Sequence, residues 1–282
     1  MSNHLDRTFE TPEPVELYVE NGRGLVDVTA SGAGTTSVRI TGERAEEFEV
    51  RDLGDADGRR RIAVLAPSRG GGFLGRDPRA DIVVTVPVAS AFTAKVGSSD
   101  VHAHGRFDDT RVESGSGDVT LDVVDGSTVV QSGSGDLDAR HLVGDARVRT
   151  GSGDVVIGSA ESSLVVSTGS GDVRIDAAGE DLAVKTGSGD AAIGSLGGEA
   201  VFTTGSGDLQ VAEVGAGRLT AKTASGDVRI GVVAGTPVWT DVRTASGRLT
   251  STLPRTGEPA ADQPYLEVRA TTASGDVTLH QS

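Results

Sequence analysis

The stretch Thr150-Gly151-Ser152-Gly153-Asp154-Val155-Val156-Ile157 returns one 18-residue period later as Thr168-Gly169-Ser170-Gly171-Asp172-Val173-Arg174-Ile175. Across residues 112–208 the tetrapeptide Gly-Ser-Gly-Asp occurs six times, with aspartates at Asp118, Asp136, Asp154, Asp172, Asp190 and Asp208, evenly spaced at that same period. A degenerate copy, Gly97-Ser98-Ser99-Asp100, precedes the run at the same interval. Ala224-Ser225-Gly226-Asp227, Ala245-Ser246-Gly247-Arg248 and Ala273-Ser274-Gly275-Asp276 follow it, at intervals that widen from one copy to the next. A fixed short period marks a repeat architecture in which each unit buries its apolar face only against its neighbours.

Within a unit, the first and third residues after the aspartate are apolar or small (Val155 and Ile157, Val173 and Ile175, Leu209 and Val211), and the residue between them is free. That alternation is the mark of a strand with one buried face. A second strand covers positions ten to fourteen, with Thr128, Val130 and Ser132, or Leu182, Val184 and Thr186, facing inward. Position six is apolar (Val124, Leu142, Ala160, Ala178, Leu196, Val214) and reads as a corner. Stacking such units in parallel at about 4.8 Å pairs every backbone group outside the turns. The Gly-Ser-Gly turn is expected to supply unusual backbone conformations and close approach between coils. These features predict an all-β fold, a β-solenoid of about ten stacked coils with a β-rich N-terminal cap.

Residues 1–80 do not keep the register and form the expected cap, continuous with solenoid repeats over residues 81–282. Alternating stretches at 15–19, 37–40, 48–50 and 61–65 predict strands there. Asn21-Gly22-Arg23-Gly24-Leu25 reads as a motif turn with Leu25 in place of the aspartate. A differing end unit is expected because an open solenoid end exposes unpaired backbone. The Pro-rich segment 252–264 accounts for the last and widest interval as an insertion looped out of one coil, and the strands at 266–270 and 277–279 are expected to close the stack.

The net charge is −15, and 3% of residues are aromatic. An acidic chain of this kind is unsuited to a phosphate backbone or an anionic lipid surface, so neither nucleic-acid binding nor direct membrane insertion is expected. There is no cysteine, hence no thiolate chemistry and no disulfide framework. The N-terminal segment lacks the apolar core of a signal peptide, and no window approaches a membrane span, which points to the cytoplasm.

Stacked coils put the motif aspartates in a column, where like charges repel. The expected offset is local: each carboxylate accepts N–H groups of its own Gly-rich turn, with Arg149, Arg174, Lys185 and Arg229 screening nearby. The alternative is a calcium column of Asp118, Asp136, Asp154, Asp172, Asp190 and Asp208. Calcium-binding β-rolls, however, use Gly-Gly-x-Gly-x-Asp with a nine-residue half-coil. Here the aspartate directly follows the second glycine, and the other half-coil has no matching motif.

His102 and His104 share a strand face, the spacing of a metal-ligating pair, but no third ligand is evident in the sequence. Phe73, Leu74 and Arg76 sit in a Gly-rich loop (67–80) and are the candidate partner-binding residues. Trp239 is expected to cover the core of a stretched coil. No catalytic constellation and no cofactor site emerges, so no enzyme is expected.

Units of the form Thr-Gly-Ser-Gly-Asp-Val-x-Ile behind a Val-Glu-Asn-Gly-x-Gly turn resemble a family of bacterial β-strand-repeat proteins that carry the label adhesin and are grouped in the Toastrack superfamily. The resemblance runs over residues 15–279. It implies a non-enzymatic scaffold with a protein partner, linked to envelope-stress systems or helix-turn-helix regulators. A calcium-binding adhesion module of β-roll type and a polysaccharide-acting β-helix are the alternatives.

Overall fold

A computed structural model describes residues 4–56, 58–67, 78–254 and 264–282. Apart from a short 3-10 turn at Ala45–Glu47, every regular element among these residues is a strand. The chain divides into two compact units, Met1–Gly144 and Asp145–Ser282. Each is a β-solenoid, as the repeat predicts.

The first unit holds β1 (His4–Glu10), β2 (Val15–Ser31), β3 (Thr35–Gly42), β4 (Glu49–Ala56), β5 (Arg59–Leu65), β6 (Arg79–Pro87), β7 (Ala91–Phe107), β8 (Thr110–Ser114), β9 (Val119–Val124), β10 (Thr128–Ser132) and β11 (Leu137–Leu142). β2 and β7 are the long strands, and each makes a whole coil. They pair in parallel, Leu17 beside Phe92 and Leu25 beside Asp100, so Leu25 does stand at a motif position. β7 pairs in turn with β8 and β9, and the repeat register continues as Thr110 beside Thr128 and Val119 beside Leu137. Alternate residues point inward: Val26, Val28, Val101, Ala103, Val119 and Leu121 are all buried.

On the other side of β2 lie β5 and β6, both parallel to it. β2 is therefore enclosed between a later coil (β5/β6) and β7, although it precedes both in sequence. β4 then covers β5, and β3 with β1 covers β6, all antiparallel. Reversing direction at this edge uses the open backbone groups of a parallel stack, which are otherwise a template for association.

The second unit holds β12 (Ala146–Thr150), β13 (Val155–Ala160), β14 (Leu164–Thr168), β15 (Val173–Ala178), β16 (Leu182–Thr186), β17 (Ala191–Leu196), β18 (Ala200–Ser206), β19 (Leu209–Val214), β20 (Gly217–Ser225), β21 (Val228–Val232), β22 (Val238–Thr244), β23 (Leu249–Ser251), β24 (Leu266–Ser274) and β25 (Val277–Gln281). Even-numbered strands β12 to β20 stack on one wall and odd-numbered β13 to β21 on another, as in Leu164 beside Leu182 and Val173 beside Ala191. Ile157, Ile175 and Ile193 form one buried column and the corner residues Ala160, Ala178, Leu196 and Val214 another. Burying each larger aliphatic side chain contributes roughly 1.5–3 kcal/mol, and the contribution repeats coil by coil.

The repeat glycines serve the stacking distance. A Cβ on Gly171 would lie 2.0 Å from the carbonyl oxygen of Gly153, and one on Gly169 would lie 2.4 Å from that of Gly151. Neither residue has a positive φ. The expectation that these turns need unusual backbone conformations is thus corrected to one of space between coils.

The last coils depart from sequence order. β20 and β21 pair with β24 and β25, and these pair onward with β22 and β23. The chain skips one level, forms β22/β23, and returns to insert β24/β25 between. The strands on either side of the expected insertion at 252–264 thus belong to different levels of the stack, and residues 255–263 of that segment lie outside the described set. Likewise β22/β23, not β24/β25, end the stack.

Candidate functional site

The Gly-Ser-Gly-Asp edge is a hydrogen-bond ladder between coils. In the first unit the N–H of Asp118 donates to Oδ1 of Asp100 (3.1 Å) and that of Asp136 to Oδ1 of Asp118 (2.9 Å). In the second, Asp172 donates to Asp154, Asp190 to Asp172, Asp208 to Asp190, Asp227 to Asp208 and Asp276 to Asp227, each at 2.8 Å. The carboxylate thus serves the next coil, not its own turn as expected. Its own turn is closed by the hydroxyl that precedes the Gly-Ser-Gly: Gly153 N–H to Thr150 Oγ1 at 3.0 Å, Gly189 N–H to Thr186 Oγ1 at 2.8 Å. Arg229 screens the column as predicted, 2.9 Å from Asp227 and 3.7 Å from Asp208. Arg174 instead pairs with Asp176 at 3.1 Å. One lone pair of Oδ1 in each of these motif carboxylates is thus committed to a backbone N–H, whereas calcium takes six to eight oxygen ligands.

A different set of ligating groups does converge. Asp27 on β2 stands beside His102 on β7, and His104 follows on the same outer face of that strand. One ligand atom from each of Asp27, His102 and His104 lies within 4.8 Å of the others; among the described residues this is the one group of three or more such side chains that meets so closely. Asp27 and His102 are half-buried and His104 is exposed. The register between β7 and β9 shifts between Ala103 and Arg106, so His104 and Gly105 together face Asp122, a β-bulge. Gly105 takes φ +96° there and donates its N–H to Oδ2 of Asp122 at 2.9 Å. The same oxygen is 4.0 Å from Nδ1 of His104. The sequence reading missed Asp27 because it lies far upstream of His102, and parallel pairing of whole coils is what joins them.

A groove of about 470 Å³ in the first unit is lined by Tyr18, Leu53, Arg61, Thr93, Arg111 and Val129 among others. Arg61 pairs with Glu16 at 2.5 Å and Arg111 with Glu113 at 2.7 Å. Burial, and then a 2.6 Å hydrogen bond to Glu20, push the Tyr18 phenol up to about 12. In the second unit a cavity of about 360 Å³ opens against β22 and β23, between Val238, Thr240, Leu249, Leu253 and Leu279. Leu249 is 50% exposed on an inward-facing strand position, and among the described residues nothing pairs with the outer edge of β22 or β23. Trp239 is also exposed, with the Arg269 guanidinium 5.8 Å from its ring centre, so it does not cover the core as expected. Phe73, Leu74 and Arg76 lie outside the described residues. Among the described residues no helix is long and apolar enough to cross a membrane.

A stack of short-period coils closed by side-chain ladders defines a β-solenoid repeat protein. The chain matches the Toastrack DUF4097 family over residues 16–193 and again over 127–280, and it belongs to that family. No curated protein matches it. Solved structures similar to it include a provisionally named adhesin from Bacteroides fragilis, with 13% identity and a TM-score of 0.37 over 98% of this chain and 97% of that one. Another, from Parabacteroides merdae, also provisionally named an adhesin, has 12% identity and a TM-score of 0.36 over 98% and 95%. A provisionally named lipid-binding protein from Parabacteroides distasonis has 11% identity and a TM-score of 0.38 over 99% and 97%. Likeness of this degree carries no functional argument.

Proposed function

We propose that the protein is a non-enzymatic interaction scaffold whose C-terminal end takes a protein partner. The observation that carries this reading is the uncovered edge of the second unit. The first unit closes its edge with antiparallel β4, β3 and β1, whereas in the second, among the described residues, β22 and β23 leave inward apolar positions and a strand edge open. An open edge of this kind is suited to strand addition, in which backbone hydrogen bonds give affinity and pockets give specificity. The motif aspartates and the turn threonines are meanwhile engaged in holding the coils together. The family resemblance makes a regulator or membrane protein of an envelope-stress system the first partner to try.

The test is co-purification from cells with the wild type and with the variant Val238→Arg/Leu249→Arg, followed by direct binding of whatever is recovered. The reading expects a discrete partner lost in the variant while circular dichroism is unchanged. Equal recovery by both removes the open end from the proposal. Turnover of an acidic polysaccharide by the wild type overturns the non-enzymatic reading.

A further inference from the structure

We propose that Asp27, His102 and His104 form a binding site for a divalent transition-metal ion of the zinc class, with Asp122 as the residue that positions His104. The site is independent of the scaffold reading, and four observations in the first unit meet on it.

The first is the donor set. Two imidazoles and one carboxylate suit zinc, cobalt, nickel or copper, whereas calcium and magnesium select oxygen ligands. Two of the chain's five histidines alternate on one strand, with a single residue between them. At that spacing both side chains project to the same side.

The second is geometry. Ligands on a tetrahedral ion at about 2.0–2.2 Å stand roughly 3.3–3.5 Å apart. The three ligand atoms already lie within 4.8 Å of one another. Small rotations of outward side chains close the difference. The backbone beneath is held by parallel pairing on both sides of β7, since Asp27 and Thr120 flank His102.

The third is the bulge. The neighbouring coil keeps an unbroken register at the equivalent place, with Ala139 beside Leu121 and His141 beside Val123. In β7 an extra residue enters between Ala103 and Arg106. Bulges re-aim side chains and are common beside functional sites. This one is fixed by Gly105, where a Cβ would come within 2.7 Å of the Ala30 carbonyl oxygen.

The fourth is the support of His104. The Asp122 carboxylate is anchored by the Gly105 N–H at 2.9 Å and faces His104 Nδ1 at 4.0 Å. A proton on Nδ1 directed at that carboxylate leaves Nε2 to ligate, the arrangement by which outer-shell carboxylates orient metal-binding histidines. Three protein ligands leave a fourth position open to water or to a group from a partner.

The experiment titrates zinc chloride into the full chain, freed of any purification tag, by calorimetry, and repeats it with cobalt(II) by absorption. One ion per chain is expected. His102→Ala, His104→Ala and Asp27→Ala should each weaken binding by more than the roughly 10–100-fold that loss of an outer partner costs, and Asp122→Asn should fall within that range. Because all four side chains project outward, the circular dichroism of each variant should match the wild type. Excess calcium should not displace the cobalt. Absence of saturable binding, or binding unchanged in His102→Ala/His104→Ala, overturns the site.

Discussion

The backbone N–H of Arg248 donates to Oδ1 of Asp276 at 2.8 Å, although Arg248 comes well before Asp276 in the chain. The pair shows in one contact that the last coils are stacked out of order. It also explains why this motif copy ends in arginine. Every other aspartate on the edge of the second unit accepts the N–H of the coil beyond it, from Asp154 to Asp276. Among the described residues no coil lies beyond β22/β23, so position 248 has nothing to accept and an acidic side chain there has no task.

The ladder can be tested by separating acceptor from charge. Asp190→Ala leaves the Asp208 N–H without its partner and should cost on the order of 1 kcal/mol, a typical net value for one hydrogen bond. Asp190→Asn keeps an acceptor oxygen and removes repulsion from Asp172 and Asp208, so it should be neutral or slightly stabilising. Arg248→Asp should gain nothing, since no further rung uses it. Urea unfolding of the three variants checks this; equal losses in Asp190→Ala and Asp190→Asn would mean the carboxylate charge matters and the ladder does not.

The inward assignment predicts a contrast between adjacent residues. Ile175 is fully buried in the column of Ile157 and Ile193, whereas Arg174 is exposed beside Asp176. Ile175→Asp puts an unpaired carboxylate in an apolar stack and should cost several kcal/mol, enough to unfold the central coils. Arg174→Asp should stay within about 1 kcal/mol of the wild type, as surface changes do. Thermal unfolding of the pair gives the answer, and similar midpoints for both would reverse the assignment of faces.

The repeat strands were legible because each coil obeys the same local rules: alternation places Val173 and Ile175 inward, and the glycines tolerate close coils. What escaped the sequence depends on partners distant along the chain. Nothing near Asp27 announces His102, because only the parallel register of β2 against β7 joins them. The insertion of β24/β25 was hidden for the same reason. A widened interval looks alike whether the chain loops out or turns back, and the register of Val268 between Leu219 and Thr240 decides it. The acceptor role of the motif aspartate is equally ambiguous in sequence, because an aspartate beside glycines has two N–H groups within plausible reach, one local and one a coil away.

Calcium should leave thermal unfolding unchanged. One oxygen of Asp118, Asp154, Asp172, Asp190 and Asp208 is engaged by a backbone N–H, and among the described residues no three motif aspartates bring their ligand atoms together as the Asp27 group does. An ion that binds only the folded state raises the midpoint with its concentration. Melts in excess chelator and across a calcium series should therefore superimpose, and a concentration-dependent rise would restore the calcium-column reading.

The inserted coil carries its own pH signature. Glu267 on β24 lies between Arg218 of β20 at 2.8 Å and Arg269 at 2.6 Å, and is only 7% exposed. The Arg218 hydrogen bond, chiefly, and then the Arg269 hydrogen bond hold its carboxyl below the ordinary 4.5, with burial opposing them. A carboxyl whose folded value is depressed stabilises the native state above its unfolded value, and the contribution fades as pH falls through the folded one. Glu267→Gln should therefore melt below the wild type at neutral pH, with the gap narrowing under acid, below about pH 4.5. Midpoints for both chains from about pH 7 to about pH 3 decide it. A gap that stays constant over that range would mean that glutamate shape, and not its charge against the two arginines, holds β24 in place.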